Sequence, residues 1–318
     1  MANARMLVVF VISVLFGTIG THAQSAPNVS PANSRSETDQ SKTSALPDIR
    51  VPMDTSSKFC KGGVSWEDYS EYHMDLLRLA VRLSNANTKI TPVCMDYPTE
   101  ARRISMLQTG DQINTVFFGA NNEREEKLLA AYVPIYLGTT GLRLFMLRAQ
   151  SIDALDSVRT LDHLRTFSMG QGLGWPDSEI LINNGFSVIL GRYKTLHRML
   201  SAERFDLYPR AYWQIAGEWS WMHEQAPGIV IHPGIALYYP LPIYFFVSPN
   251  YPELHEAIET GLKRAHSNGM MLDLIRSHFQ TAPSFNQISL SDLHVLRIPN
   301  SQLSARSHEA LRTYGLLD

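Results

Sequence analysis

Catalytic signatures are scarce in this sequence. Its 318 residues include only two cysteines, with no Cys-x-x-Cys pair, and no Gly-x-Ser-x-Gly nucleophile elbow. His223-Glu224 lacks the second histidine that a zinc protease needs. His255 and Glu259 share a helix face, but without further ligands they indicate a solvated surface rather than a metal site. The sequence therefore predicts a protein that is not an enzyme and holds no metal or cofactor.

Charge is also sparse, and long apolar runs are absent. Charged residues make up 18% of the chain and the net charge is -2, which argues against a nucleic-acid partner. The longest apolar run, 6–19, is shorter than the roughly 20 residues that span a bilayer. With Arg5 before it and Thr21-His22-Ala23 after it, this run predicts a secretory signal peptide over 1–23. We expect cleavage near Ala23 and a periplasmic or secreted protein; an uncleaved anchor is the alternative.

The composition and the predicted location each indicate one feature of the mature chain. Residues 24–47 are rich in Ser, Thr, Asn, Gln and Pro, and so few apolar side chains predict a disordered leader. Cys60 and Cys94 both lie in the mature chain, where an oxidising compartment favours a disulfide over two buried thiols. Such a bridge would stabilise the fold by roughly 3–4 kcal/mol.

The rest of the chain alternates between strand and helix patterns. The first part predicts strands over 48–54, 90–95 and 113–118, and helices over 72–84 and 100–108. The second part predicts strands over 167–169, 186–190 and 205–208, a loop with Gly170, Gly172 and Gly174, a helix capped by Asp177 or Ser178, and a helix over 193–202. This alternation indicates an α/β fold with mainly parallel sheets, whose ligand sites lie at the carboxyl ends of the strands.

Four segments, in this order, carry a family resemblance: EREEKLLAAYVPIY from Glu123, GQGLGWPD from Gly170, MLSAERFDLYPR from Met199, and YPLPIYFFV from Tyr239. Together they resemble the bacterial extracellular solute-binding proteins of family 3, associated with amino-acid ABC transporters. The resemblance implies the two-lobed type 2 periplasmic-binding fold with two hinge crossings. Lobe one would comprise 48–142 plus 243–318, with its tail from 279 laid over that lobe, and lobe two would comprise 143–242.

The resemblance also implies roles for two arginines. In the amino-acid-binding members, the arginine at the position of Arg124 holds the ligand's carboxylate through a two-pronged hydrogen bond. Asn121 stands where the family usually has Thr, and Arg124 could instead pair on the surface with Glu123, Glu125 or Glu126. Arg210 or Ala211 stands where the family has an ammonium-binding Asp. Arg124 facing Arg210 would suit an anionic ligand such as a dicarboxylate, unless Arg210 is tied to Glu218.

Further side chains are candidates for the same site. The glycine loop offers backbone N–H groups near a helix N-terminus, which bind anions; its Gly-x-Gly-x-Gly spacing does not fit a dinucleotide fingerprint. The ligand-binding candidates besides the arginines are Trp66, Phe118, Gly172, Trp175, Asp177 and Asp206.

These observations predict a monomeric periplasmic solute-binding protein. It would capture a small polar, carboxylate-bearing ligand, an organic anion or an amino-acid-like molecule, for an ABC permease or a membrane sensor. The alternative is an enzyme on the same scaffold, resembling periplasmic dehydratases of cyclohexadienyl acids. Such an enzyme would need a general acid, for which Glu218 and Asp177 are the candidates.

Overall fold

The computed structural model of this protein describes residues 45–96 and 99–317. The predicted signal peptide and nearly all of the predicted leader lie outside these residues. Within the described residues, the helices are all too short or too polar to cross a membrane.

Lobe one begins with the strand–helix alternation that the sequence predicts. Strand β1 pairs in parallel with β2, and Ile49 lies opposite Ile90. The apolar side of β1 packs on α1 and on a later helix, α9, which approaches α1 so closely that a Cβ at Gly261 would lie 1.8 Å from the carbonyl oxygen of Ala80. The elements of this part are β1 (Ile49–Asp54), α1 (Tyr72–Ser84), β2 (Ile90–Met95), α2 (Glu100–Thr109), β3 (Thr115–Gly119), α3 (Asn122–Lys127) and β4 (Leu129–Ala130).

Lobe two is built around a four-stranded sheet and a two-stranded sheet. The two-stranded sheet pairs β6 with β7 in parallel. The elements are β5 (Leu142–Arg148), α4 (Ile152–Asp156), α5 (Leu161–Leu164), β6 (Met169–Gly172), α6 (Pro176–Asn183), β7 (Val188–Gly191), α7 (Tyr193–Ser201), β8 (Tyr208–Ala211), α8 (Tyr212–Met222) and β9 (Ile229–Tyr238), with a 3-10 turn at Ala149–Ser151.

Three boundaries in lobe two differ from the sequence prediction. Gly170 and Gly172 lie inside β6 and are buried, so the predicted glycine loop starts later. Helix α6 begins at Pro176, whose fixed φ suits a first helical position, and not after a cap at Asp177 or Ser178. The predicted strand 205–208 is displaced to β8, which contains Pro209 and Arg210. Proline is tolerated there because β8 is the last strand of its sheet.

The remaining elements return the chain to lobe one and then extend it. They are β10 (Ile243–Val247), α9 (Pro252–Ser267), α10 (Met270–Ser277), α11 (Ala282–Gln287), a 3-10 turn at Leu290–Asp292, β11 (His294–Arg297) and α12 (Ala305–Tyr314). The sequence analysis missed α8 and the long strand β9. Their absence from the prediction hid one partner of the crossing strand β5.

The sheets are mixed rather than mainly parallel. Strand β10 runs antiparallel to both β3 and β4, and β5 runs antiparallel to both β8 and β9. Parallel pairing is limited, among the described strands, to β1 with β2, β6 with β7, and β9 with β11. The antiparallel pairs arise where the chain crosses between lobes and returns in the opposite direction.

The C-terminal tail contacts both lobes, contrary to the prediction that it covers lobe one. Strand β11 extends the four-stranded sheet of lobe two, with His294 opposite Ile235. Helix α12 instead packs its Leu311 into the cluster of lobe one that contains Tyr244. A short tail of mixed polarity gives no sequence signal for which surface it covers.

The two cysteines form the expected disulfide. Cys60 and Cys94 are bonded, with 5.8 Å between their Cα atoms. The bridge ties the segment before α1 to strand β2.

Candidate ligand-binding site

A cavity of about 310 Å³ lies between the two lobes; we call it the interlobe cavity. Its volume is at the lower end of the range for small-molecule sites. Lobe one contributes Glu100, Arg103, Phe117, Phe118 and Gly119; the crossing segments contribute Thr140, Arg143, Leu241 and Ile243; lobe two contributes Trp175, Pro176, Asp177, Arg210, Trp213 and Gln214.

Arg210 reaches the interlobe cavity from β8, but its charge is satisfied within lobe two. Its Nε and Nη2 donate to the two carboxylate oxygens of Glu218, at 2.6 and 2.7 Å. The guanidinium lies over the ring of Trp175, 4.7 Å from the centroid. Burial by itself would lower the pKa of Arg210, but Glu218 reverses this and raises it. The alternative that Arg210 is tied to Glu218 therefore describes the structure.

Asp177 forms a second buried ion pair at the cavity wall. It lies in the first turn of α6, where a negative charge is favoured by the helix dipole. Its carboxylate pairs with Arg143 of β5 and accepts a hydrogen bond from the hydroxyl of Tyr239. Burial raises the pKa of Tyr239 well above its ordinary value, so the hydroxyl stays protonated and donates. This group of three side chains fixes the start of α6 to the two crossing segments.

Arg124 lies behind the opposite wall, in lobe one. Helix α3 begins after Asn121, whose side-chain oxygen accepts from the backbone N–H of Arg124 at 2.9 Å. The guanidinium donates to the carbonyl of Gly119 and pairs with Glu100 at the start of α2. Burial lowers the pKa of Arg124 and Glu100 opposes that effect. Glu100 lines the interlobe cavity, whereas Arg124 does not.

The predicted surface partners of Arg124 are engaged elsewhere. Glu123 pairs with Lys127 at 2.6 Å on the exposed side of α3. Glu125 accepts hydrogen bonds from Ser304 and Ser307 at the start of α12. The tail therefore holds in place the helix that carries Arg124.

Aromatic rings from both lobes complete the lining. Phe118 and Trp175, both predicted, line the interlobe cavity together with Phe117 and Trp213. Trp213 stacks on Tyr136 of lobe one, with ring centroids 4.0 Å apart and planes within 9°. Among the described residues, its indole N–H has no hydrogen-bond partner.

Besides Arg124, three of the predicted residues do not line the interlobe cavity. A Cβ at Gly172 would lie 2.3 Å from the ring of Trp175, so this glycine makes room for that ring rather than contacting a ligand. Trp66 stacks on Tyr69 and donates to the carbonyl of Ile90 at 3.1 Å. Asp206 accepts from the backbone N–H and the hydroxyl of Ser168, at 2.8 and 2.6 Å, and so joins the segments before β8 and β6.

The sequence analysis missed Glu100, Arg103, Arg143 and Trp213. Arg143 could have been found, because it interrupts the apolar run LRLFML that begins at Leu142. Glu100 looks like an ordinary acidic residue in the first turn of a helix, and only the fold brings it to Arg124.

No family model and no curated protein matches this chain. Solved structures do match. An arginine transport system periplasmic binding protein from Legionella pneumophila is 15% identical, with 74% of this chain and 100% of that one covered and a TM-score of 0.50. The YckB protein of Bacillus subtilis is 13% identical, with 78% and 96% covered and a TM-score of 0.50. An ancestral arginine-binding protein is 18% identical, with 73% and 98% covered and a TM-score of 0.49.

The likeness establishes the fold class. The chain has the two-lobed α/β fold of type 2 periplasmic-binding proteins, as its four sequence segments predicted.

Proposed function

We propose that this protein is a solute receptor that captures a small organic acid or amino-acid-like ligand in the interlobe cavity. The observation that supports the proposal is that residues of both lobes line the same cavity. Lobe one supplies Phe118 and Glu100, lobe two supplies Trp175 and Trp213, and the crossing segments form the base. A ligand that touches both lobes stabilises their closed arrangement, since it binds that arrangement more tightly than the open one.

The lining suits an amphipathic molecule. Four aromatic rings offer apolar contact, and charged groups stand among them. Pockets for small molecules commonly combine a mainly apolar wall with a few placed polar groups. The ligand's apolar part would lie between the rings of the two lobes, and its polar part would meet the charged groups at the wall.

The proposed location and partners follow from the same role. The protein would be exported, work as a monomer in the periplasm, and present its closed form to an ABC permease or a membrane sensor. The similarity to the periplasmic binding protein of an arginine transport system from Legionella pneumophila supports this role.

A catalytic role has less support. The two candidate acids, Glu218 and Asp177, are each held by an arginine, and each accepts a further hydrogen bond from a tyrosine. Both carboxylates are therefore engaged inside the protein, and Glu218 is not among the residues that line the interlobe cavity. The geometry therefore favours binding over turnover.

A thermal-shift screen of the chain from Gln24 onward tests the proposal. The panel contains amino acids, dicarboxylates, aromatic acids and polyamines. A ligand at 100 times its dissociation constant adds about 2.7 kcal/mol to the free energy of unfolding, which gives a clear shift in Tm. We expect the shift to be lost in Phe117→Ala.

Phe279→Ala is the matched control, because Phe279 is 65% exposed and does not line the interlobe cavity. It should retain the full ligand shift. A folded protein whose Tm responds to no member of the panel would contradict the proposed function, as would a hit that Phe117→Ala leaves unchanged.

A further inference from the structure

Three arginines at or behind the wall of the interlobe cavity are paired with a carboxylate of the protein. Arg143 is paired with Asp177, and Arg210 is paired with Glu218 through both oxygens. Arg124 is paired with Glu100. Each of these three guanidinium groups therefore already has a carboxylate partner inside the protein.

The Arg124–Glu100 pair differs from the other two in its exposure. The side chain of Glu100 is 31% exposed, whereas those of Asp177 and Glu218 are 10% and 14% exposed. Glu100 lines the interlobe cavity and its partner does not. A ligand entering the cavity therefore meets the carboxylate of Glu100, and the guanidinium of Arg124 lies behind it.

The position of Glu100 has a consequence for ligands of either charge. An anionic ligand gains Arg124 only by displacing Glu100, which leaves that carboxylate without its partner and next to the ligand's own negative charge. A cationic group on a ligand needs no displacement, because it can add to the outer side of Glu100. Two charges of one sign close together in a partly buried site repel each other strongly.

Resting on the proposed function, we infer that Glu100 determines the charge of the ligand. It occupies the place of a ligand carboxylate at Arg124 and selects molecules that bring an ammonium or similar cationic group on an apolar body.

Three probes with a common phenyl body test the inference by isothermal titration calorimetry. L-phenylalanine carries both charges, phenethylamine only the ammonium, and 3-phenylpropionate only the carboxylate. We expect the wild-type protein to bind phenethylamine at least about tenfold more tightly than 3-phenylpropionate, a ratio equivalent to a free-energy difference of about 1.4 kcal/mol.

Glu100→Gln should reverse that order. It keeps the shape and an oxygen that can accept from Arg124 but removes the charge. The affinity for 3-phenylpropionate should rise at least about tenfold and that for phenethylamine should fall by a similar factor. Glu126→Gln is the matched control, because Glu126 is an exposed residue on the helix of Arg124 and does not line the interlobe cavity. It should leave both affinities unchanged.

Two results with the phenyl probes would overturn the inference. One is a Glu100→Gln variant that is folded but binds 3-phenylpropionate no more tightly than the wild type. The other is a wild-type protein that prefers 3-phenylpropionate, which would show that Arg103 or another cation dominates the wall. A ligand from the wider screen that binds the wild type and Glu100→Gln equally would remove the role of Glu100 while leaving the receptor proposal intact.

Discussion

Each lobe has an arginine–glutamate pair with one member at the interlobe cavity, Glu100 in lobe one and Arg210 in lobe two, and the two pairs differ in how completely they are enclosed. In lobe two, Arg210 and Glu218 share two hydrogen bonds, Tyr193 and Gln214 donate to the same carboxylate, and aromatic rings cover the guanidinium. In lobe one, Glu100 holds Arg124 from the cavity side and stays about a third exposed.

The difference separates a structural pair from an exchangeable one. An enclosed pair cannot give up one partner without leaving a buried charge, which is strongly unfavourable. A pair at a wall, with one partner partly exposed, can exchange that partner with water at much lower cost. Chemically similar residues on the two sides of one cavity therefore have different tasks.

The largest expected effect comes from breaking the enclosed pair. Arg210→Ala leaves Glu218 buried without its cation, and we expect a loss of about 3–5 kcal/mol in the free energy of unfolding, measured by urea denaturation. The double variant Arg210→Met with Glu218→Leu removes both charges and should recover much of that loss. A loss below about 1 kcal/mol in Arg210→Ala would mean that the pair is not enclosed in solution.

The next largest expected effect is a pH dependence of the free energy of unfolding, because a histidine packs against Phe117 in the lobe-one wall of the interlobe cavity. The ring of His73 lies 4.0 Å from that of Phe117, and burial lowers the pKa of His73 from 6.5 to about 3. In the unfolded chain the same group takes up a proton near pH 6.5. The contribution of His73 to the free energy of unfolding is therefore fully present above pH 6.5, and it is lost as the pH falls from 6.5 towards 3.

Three titratable groups near His73 determine the pH range in which its contribution to stability can be measured. Glu71 lies 3.2 Å away, and Asp75 and His278 act on it electrostatically. Burial lowers the pKa of His278 and so adds to the effect, whereas burial raises the pKa of Glu71, which acts in the opposite direction near pH 4.5 and above. We expect His73 to account for a loss of about 2 kcal/mol between pH 7.5 and 5.

Denaturation of His73→Gln at both pH values measures that contribution. The variant should show a smaller loss of stability between pH 7.5 and 5 than the wild type. His294→Gln, at an exposed position, should keep the wild-type dependence. Equal slopes in wild type and His73→Gln would show that His73 is already accessible to protons in the folded protein.

The smallest expected effect concerns the exchangeable pair. Glu100→Gln should lower the free energy of unfolding by about 1 kcal/mol or less, because Glu100 is partly exposed and glutamine can still accept from Arg124. Urea denaturation beside Arg210→Ala gives the direct comparison. A loss as large as that of Arg210→Ala would make the two pairs equivalent and remove the distinction.

Much of the architecture could be read from local patterns. Helix α1 and strand β2 have the predicted bounds. Both elements could be predicted because the spacing of apolar residues in an amphipathic helix and the residue types of a short strand are local properties of the sequence. The prediction failed at β8, where Pro209 looked like a terminator, and at β9, whose His232, Pro233 and Gly234 interrupt the strand pattern. Both errors arise where strand position in the sheet overrides local propensity.

The candidate site was less accessible from sequence. Arg124 and Arg210 stood out because a family motif surrounds them, Phe118 because it ends a predicted strand, and Trp175 because it lies between the predicted glycine loop and the helix after it. Trp66 and Asp206 met similar criteria and lie elsewhere. A position at the end of a strand indicates that a side chain lies near the edge of the sheet. It does not indicate which neighbouring residues that side chain contacts.

The sequence by itself determined the α/β alternation, the two lobes, the pair of cysteines and the presence of arginine at two motif positions. Tertiary structure decided which carboxylate each arginine meets. Glu100 and Arg124 are separated by 23 residues along the chain, and only the fold brings their charges into contact. Electrostatic interactions depend on distance and burial in space, so a sequence shows the charges of this cavity while the fold determines which remain available to a ligand.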